Sequence, residues 1–192
     1  MDGYKPSIFP KKFSKALDFK LEIWYTHYRK EREETTMKKI YFDLDGTLYN
    51  LYQYKNWLSC LRNEDPAPFQ MGKDGALVDL KELQKIANEG LKKGIVFGVI
   101  TWLPMFASEE FEEACTKAKR KWVNKFLPFV TEFYAQSYGV PKQYAPAKRA
   151  KEMYLFDDNA DVLSMWETEQ QRITINVSKN DLLEELKKIV ES

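Results

Sequence analysis

This chain of 192 residues has little histidine and cysteine, no long apolar run and almost no net charge. Its single histidine excludes a histidine-rich metal site and argues against a Ser-His-Asp hydrolase. Its two cysteines, Cys60 and Cys115, provide no disulfide framework and cannot form a zinc site alone. A formal net charge of +1 argues against a nucleic-acid binder that works through bulk charge, although a local basic patch stays compatible with it.

The longest apolar stretch, residues 95–103, is far shorter than the roughly 20 residues that span a bilayer. Five lysines interrupt the first 20 residues, so an apolar signal core is missing there. We therefore expect a soluble, cytoplasmic protein with reduced thiols and no membrane partner. The composition, 44% hydrophobic with 15% aromatic residues, rules out wholesale disorder.

The sequence divides near residue 37. Before it, Leu17, Leu21, Trp24 and Tyr28 recur at helical spacing and predict an amphipathic helix over residues 14–33. We interpret residues 1–36 as an N-terminal extension that packs on the body or frays, with a partner-binding helix as the alternative. Residues 37–192 then form the main domain.

In the main domain, five strand-like runs alternate with helical patterns, which predicts an α/β fold built on a parallel, Rossmann-like sheet in three layers. The predicted strands are residues 39–44, 95–101, 131–135, 153–157 and 172–177. An aromatic, irregular stretch interrupts this alternation at about residues 49–78 and predicts a small cap insertion.

Polar side chains with catalytic potential follow three of these strands. Asp43 and Asp45 end the first strand, Thr101 ends the second, and Asp157 with Asp158 ends the fourth. Ligands of open parallel sheets bind at the carboxyl ends of the strands, so we expect these side chains to converge on one site.

Carboxylates gathered this closely need a counter-charge. At an effective dielectric constant near 20, two like charges at about 4 Å repel by roughly 4 kcal/mol. Because the donors are all oxygen atoms, the expected cation is a hard one, Mg²⁺ before Ca²⁺. An acidic Mg²⁺ pocket suits a phosphate ester: one aspartate can attack phosphorus and a second can protonate the leaving oxygen.

Three segments together resemble the haloacid dehalogenase (HAD) superfamily of Mg²⁺-dependent phosphohydrolases. They are YFDLDGTLY (41–49), VFGVIT (96–101) and YLFDDNAD (154–161), and the resemblance covers about residues 37–192. The segments are similar to the first, second and fourth motifs of that family, in order and on predicted strands.

The resemblance implies a role for each of these polar residues. Asp43 is the expected nucleophile and Asp45 the expected general acid and base. Thr101 is expected to bind the phosphate. Asp43, the backbone carbonyl of Asp45 and Asp157 are expected to hold Mg²⁺, with Asp158 supporting the metal shell or the lysine of the third motif.

The third motif needs a basic residue ahead of the fourth strand, and the chain offers three. Lys142, within YGVPK, is similar to the loop of small phage and bacterial members of the superfamily. Lys148 has a spacing like that of deoxynucleotidase-type members, and Lys151 ranks third. We favour Lys142 as the lysine that binds the phosphate and supports catalysis, and keep Lys148 as the alternative.

Aromatic residues cluster in the predicted insertion and after the second strand. They form either a miniature core for the insertion or a lid whose rings stack on a nucleobase. In the second case Trp102, next to Thr101, belongs to the substrate-binding residues, and Phe106 lines the entrance of the same site. The aromatic residues of the insertion are Tyr49, Tyr52, Tyr54, Trp57 and Phe69.

Simpler interpretations exist for each segment. Asp43 and Asp45 alone are compatible with a plain Asp-Gly turn, and Asp157 and Asp158 with helix caps. An EF-hand loop is excluded, because its twelfth position, which requires Glu, is Tyr54.

We predict a Mg²⁺-dependent phosphomonoester hydrolase that forms an aspartyl-phosphate and acts on a small phosphorylated metabolite, first of all a nucleoside monophosphate. The alternatives are a catalytically silent binding or regulatory module, a phosphatase of nucleic-acid ends and a phosphotransferase.

Overall fold

The computed structural model describes residues 38–146, 150–168 and 171–192. It contains a single described sheet of five parallel strands, which confirms the α/β parallel sheet expected from the sequence. The helix predicted over residues 14–33 and the candidate Lys148 lie outside the described residues. The strands are β1 (Lys38–Phe42), β2 (Val96–Trp102), β3 (Glu132–Gln136), β4 (Glu152–Asp157) and β5 (Arg172–Asn176).

The strands lie in the order β3-β2-β1-β4-β5, and each neighbouring pair is parallel. From β1 the chain adds strands towards one edge, then returns to place β4 on the other side of β1. The order therefore reverses between β1 and β4, where the two outward connections leave a crevice at the carboxyl ends. Strand order alone makes this crevice the expected ligand site of the Rossmann-like sheet.

Five α-helices are described, and four of them begin at a side chain that accepts a backbone N–H. Asp79, Ser108, Asn159 and Asp181 each occupy the N-cap of one helix, which stabilises donors that have no partner inside the helix. The helices are α1 (Trp57–Arg62), α2 (Leu80–Lys92), α3 (Glu109–Phe126), α4 (Ala160–Trp166) and α5 (Leu182–Glu191).

The sheet separates two apolar clusters, as expected for strands that are buried on both faces. Ile40 and Phe42 pack on one side with α2, α3 and α5. Tyr41, which points the opposite way, packs on the other side with Val162 and Trp166 of α4. Helices on both faces make the architecture three-layered and consistent with a Rossmann-like fold.

Residues 49–78, the predicted insertion, contain α1 and three short 3₁₀ turns, Leu51–Gln53, Ala67–Gln70 and Gly72–Gly75. Tyr49 is buried in this segment, and its hydroxyl donates to the carbonyl of Pro68 over 2.7 Å. Its ring leaves no room for a side chain at Gly75. Tyr49 thus belongs to a local core, one of the two roles expected for the aromatic residues.

None of the helices within the described ranges is both long and apolar enough to cross a membrane.

Candidate active site

Three carboxylates meet at the crevice between β1 and β4. Asp43 directly follows β1, Asp157 is the last residue of β4, and Asp158 comes next in the chain. Each offers one oxygen atom in a group whose members all lie within 4.8 Å of one another. Asp43 and Asp157 are buried. The sequence expectation that these residues share one edge of the sheet is therefore matched by their positions.

Lys142 lies between two of these carboxylates. Its ammonium group donates to Asp43 Oδ1 over 2.5 Å and to Asp157 Oδ2 over 2.7 Å, and the residue is only 3% exposed. The geometry thus brings the favoured third-motif lysine into the acidic group. Lys151 is exposed to solvent.

Trp102 supports the loop that carries Lys142. Its indole N–H donates to the carbonyl of Val140 over 2.7 Å, and its ring lies 5.7 Å from the Lys142 ammonium. The ring also packs against Tyr138, with 5.0 Å between the centroids. Trp102 also lines the same cavity as the acidic group. It therefore both holds the loop that carries Lys142 and faces the site.

Asp45 does not join the three-carboxylate group. Its side chain pairs instead with Lys119, a residue of α3 that sequence reasoning did not select. Side chains two residues apart on a strand point the same way, but β1 ends at Phe42 and the chain turns at Leu44, whose carbonyl accepts three following N–H groups. The two aspartates therefore diverge, each towards its own lysine.

Lys119 is 1% exposed and uses every donor of its ammonium group. Besides Asp45, it donates to Thr101 Oγ1 over 2.9 Å and to the carbonyl of Trp102 over 2.5 Å. A signal for it existed in the sequence. Lys119 falls at four-residue spacing after Phe111 and Cys115, on the apolar face of α3, where an unpaired lysine would be costly.

Burial raises the pKa of three of the site carboxyls, those of Asp45, Asp157 and Asp158. Burial raises the pKa of Asp157 to about 6, and the nearby Asp43 charge adds to this, while Lys142 acts in the opposite direction. Burial also raises the pKa of Asp45, against the attraction of Lys119, and the pKa of Asp158. Burial opposes the charge on Lys142, but Asp43 and Asp157 outweigh it and raise its pKa.

Gly46 makes room for Asp158. A Cβ atom at Gly46 would lie 2.5 Å from Asp158 Oδ2, and the glycine has a φ of 92°, a backbone conformation that other residues rarely adopt. Thr47 donates to Asp158 Oδ1 over 3.4 Å. The Asp-Gly-Thr sequence thus forms the turn and also positions the carboxylate of Asp158.

A cavity of about 590 Å³ opens above the acidic group, a volume within the usual range for small-molecule sites. Of the aromatic residues in the insertion, Tyr52, Trp57 and Phe69 line it, and Tyr54 does not. Large apolar side chains that are exposed to solvent gather at its rim. They are Tyr52, Leu58, Met105, Phe106 and Tyr138.

The donor set suits Mg²⁺. The group offers carboxylate oxygens only, which favours a hard cation. Counting Asp43, Asp157 and Asp158 against the ammonium group of Lys142 leaves two negative charges, which one divalent cation neutralises.

The sequence matches no protein-family model and no curated protein.

Proposed function

We propose that this protein is a Mg²⁺-dependent phosphomonoester hydrolase of the HAD type, with Asp43 as its nucleophile. The observation that carries the proposal is the buried contact of Lys142 with both Asp43 and Asp157 at the sheet crevice. A lysine held there places a fixed positive charge beside the carboxylate that would attack, where negative charge develops during phosphoryl transfer.

In the proposed reaction an Asp43 carboxylate oxygen attacks phosphorus, and the bond between phosphorus and the ester oxygen breaks. Asp45, the second carboxylate, donates a proton to the departing oxygen. The phosphoryl group is then an aspartyl-phosphate on Asp43. Asp45, now deprotonated, takes a proton from water, which attacks phosphorus, releases inorganic phosphate and restores the Asp43 carboxylate.

The remaining residues bind and orient. Thr101 donates its hydroxyl to a phosphate oxygen, and Lys142 offsets the charge of the phosphoryl group. Mg²⁺, held by Asp43 and Asp157 with support from Asp158, would screen the repulsion between the anionic ester and the anionic nucleophile. Burial raises the pKa of Asp45, against the attraction of Lys119, and this direction favours the protonated form that a proton donor needs.

The apolar rim supports a small substrate that carries a planar or apolar group, and nucleoside monophosphates are the first candidates. Phe106 is 96% exposed at this rim and has a φ of 58°, a strained conformation for a bulky residue. Exposed aromatic side chains around a polar site are typical of ligand recognition. We expect higher kcat/KM for nucleoside monophosphates than for sugar phosphates.

The test is hydrolysis of p-nitrophenyl phosphate with Mg²⁺ and with EDTA, by the wild-type protein and Asp43→Asn. We expect turnover that needs Mg²⁺ and falls on the order of 1,000-fold or more in the variant, because the covalent route is lost. Asp161→Asn, which changes an exposed carboxylate near the group, is the matched control and should keep wild-type turnover.

Turnover that survives Asp43→Asn would rule out the nucleophile assignment. A wild-type protein that hydrolyses no ester in a broad panel, including nucleic acids with terminal phosphates, would favour the silent binding module. Faster release of the leaving group on addition of an alcohol, without more free phosphate, would identify a phosphotransferase.

A further inference from the structure

We propose that Lys119 is a positioning residue that holds the proton donor Asp45 and the phosphate-binding hydroxyl of Thr101 in their working orientations. This inference rests on the proposed phosphatase function and extends it to a residue outside the motifs. Its basis is that one buried ammonium group contacts both side chains.

The contacts determine the position of the Lys119 ammonium group. Its three donors meet three acceptors, which come from the turn after β1 and from the end of β2. The ammonium also lies 4.8 Å above the centre of the Phe69 ring, a wall of the active-site cavity. With all its donors used, the ammonium cannot rotate to another partner without losing a buried hydrogen bond.

The contact with Thr101 orients a donor. Because Lys119 donates to the hydroxyl oxygen, the hydroxyl proton must point elsewhere. Among the described residues the hydroxyl donates only to the Trp102 carbonyl, at 3.4 Å, which is long for a hydroxyl donor, and that carbonyl already accepts from Lys119. The hydroxyl proton is therefore held weakly, although Thr101 is fully buried and does not itself line the cavity.

The contact with Asp45 leaves one oxygen for chemistry. Lys119 binds Oδ2, while Oδ1 is buried and has no hydrogen-bond partner within the described part of the chain. Asp45 also lines the cavity. A carboxyl group with Oδ2 anchored and Oδ1 unpartnered can carry a proton on Oδ1, which is the proton that the departing ester oxygen needs.

The inference is tested by comparing two aryl esters of nearly the same shape, phenyl phosphate and p-nitrophenyl phosphate. The p-nitrophenolate leaves readily without a proton, whereas phenolate depends more on the general acid. If Lys119 positions Asp45, then Lys119→Met should lower kcat/KM on the order of 100-fold for phenyl phosphate and about 10-fold or less for p-nitrophenyl phosphate.

Lys39→Met is the matched control. Lys39 is also a buried lysine, 3% exposed and paired with Glu132 over 2.8 Å, but it lies on β1 on the amino side of the crevice. We expect its removal to change kcat/KM for the two esters by the same factor. Equal losses for the two esters in Lys119→Met would show that Lys119 is structural and would overturn the inference.

A second measurement does not depend on turnover. Calorimetric titration with inorganic phosphate in the presence of Mg²⁺ should show weaker binding to Lys119→Met than to wild type, because the Thr101 hydroxyl is no longer oriented. Unchanged phosphate affinity would contradict that part of the inference.

Folding is checked by thermal unfolding, and Lys119→Gln, which keeps an amide donor, replaces Lys119→Met if the latter does not fold. If neither variant folds, Lys119 is a structural residue and the inference is wrong. If the wild-type protein hydrolyses neither ester, the proposed function fails, and the inference fails with it. If the wild-type protein hydrolyses both esters, the proposed function is supported, and the losses measured in Lys119→Met then test the inference alone.

Discussion

Lys142 illustrates how a single side chain links the acidic group. It is one lysine among 30 basic residues, yet its ammonium group is enclosed by Asp43, Asp157 and the Trp102 ring. A buried ammonium is costly unless it is paired and hydrogen-bonded, and both conditions are met here. The contact explains why two buried carboxylates tolerate each other.

Replacing the alternative lysines separately distinguishes their roles. We expect Lys142→Ala to lower kcat for p-nitrophenyl phosphate by about 100-fold or more, because a charge beside the reacting phosphoryl group is lost. Lys148→Ala and Lys151→Ala should stay close to wild type. Steady-state kinetics at saturating Mg²⁺ measure the effect, and a larger loss in Lys148→Ala than in Lys142→Ala would move the third motif to Lys148.

Across neighbouring strands, Tyr41 depends on a glycine. Tyr41 on β1 pairs with Gly98 on β2, which in turn pairs with Glu132 on β3. A Cβ atom at Gly98 would lie 2.6 Å from the Tyr41 ring. The ring thus crosses β2 over the bare α-carbon, and its hydroxyl donates to Glu132 over 2.5 Å. Burial and the neighbouring Glu132 raise the pKa of Tyr41 well above its usual value.

Gly98→Ala should therefore destabilise the sheet. We expect a loss of about 1–3 kcal/mol in the free energy of unfolding, because the added methyl group overpacks a buried ring. Urea denaturation measures it. In a Tyr41→Leu background the same change should cost less, since the clash is gone, and equal costs in both backgrounds would show that Tyr41 is not the cause.

At the scale of the whole fold, the acidic group lowers the free energy of unfolding as the pH rises. The raised pKa of Asp157, about 6, means that the folded state binds more protons than the unfolded state between about pH 4 and pH 6. The contribution of this group to the free energy of unfolding is thus greatest at acidic pH and is lost as the pH rises through about 6. Asp45 and Asp158, whose pKa values are also raised, act in the same direction.

Mg²⁺ should reverse this loss. In EDTA, we expect the Tm of the wild-type protein to fall between about pH 5 and 7.5 by more than the Tm of Asp157→Asn falls. Added Mg²⁺ should raise Tm more at pH 7.5 than at pH 5, because its ligands must be deprotonated. Differential scanning calorimetry resolves this, since about 1 kcal/mol shifts Tm by about 2–4 °C in a domain of this size. A Mg²⁺ effect that is absent or is larger at pH 5 would contradict a carboxylate metal site.

Local sequence patterns were sufficient to predict the strands of the sheet and the edge at which the site lies. Apolar runs identified all five strands, with ends displaced by at most two residues. The positions of Asp43, Thr101 and Asp157 at the ends of parallel strands already implied one common site, because parallel strands present their carboxyl ends at the same edge. These features depend on residues close together in the chain, whose periodicity is visible in the sequence.

Such local patterns did not predict contacts between segments that are distant in the chain. The chain turn after Phe42 sends Asp45 away from Asp43, and α3 then delivers Lys119 to it from 74 residues further along. Likewise, nothing near Gly98 shows that the Tyr41 ring will cover it. Such pairings depend on how a helix crosses the sheet and how side chains pass over neighbouring strands. Those geometries arise from packing of the complete core, so only the folded chain decides them.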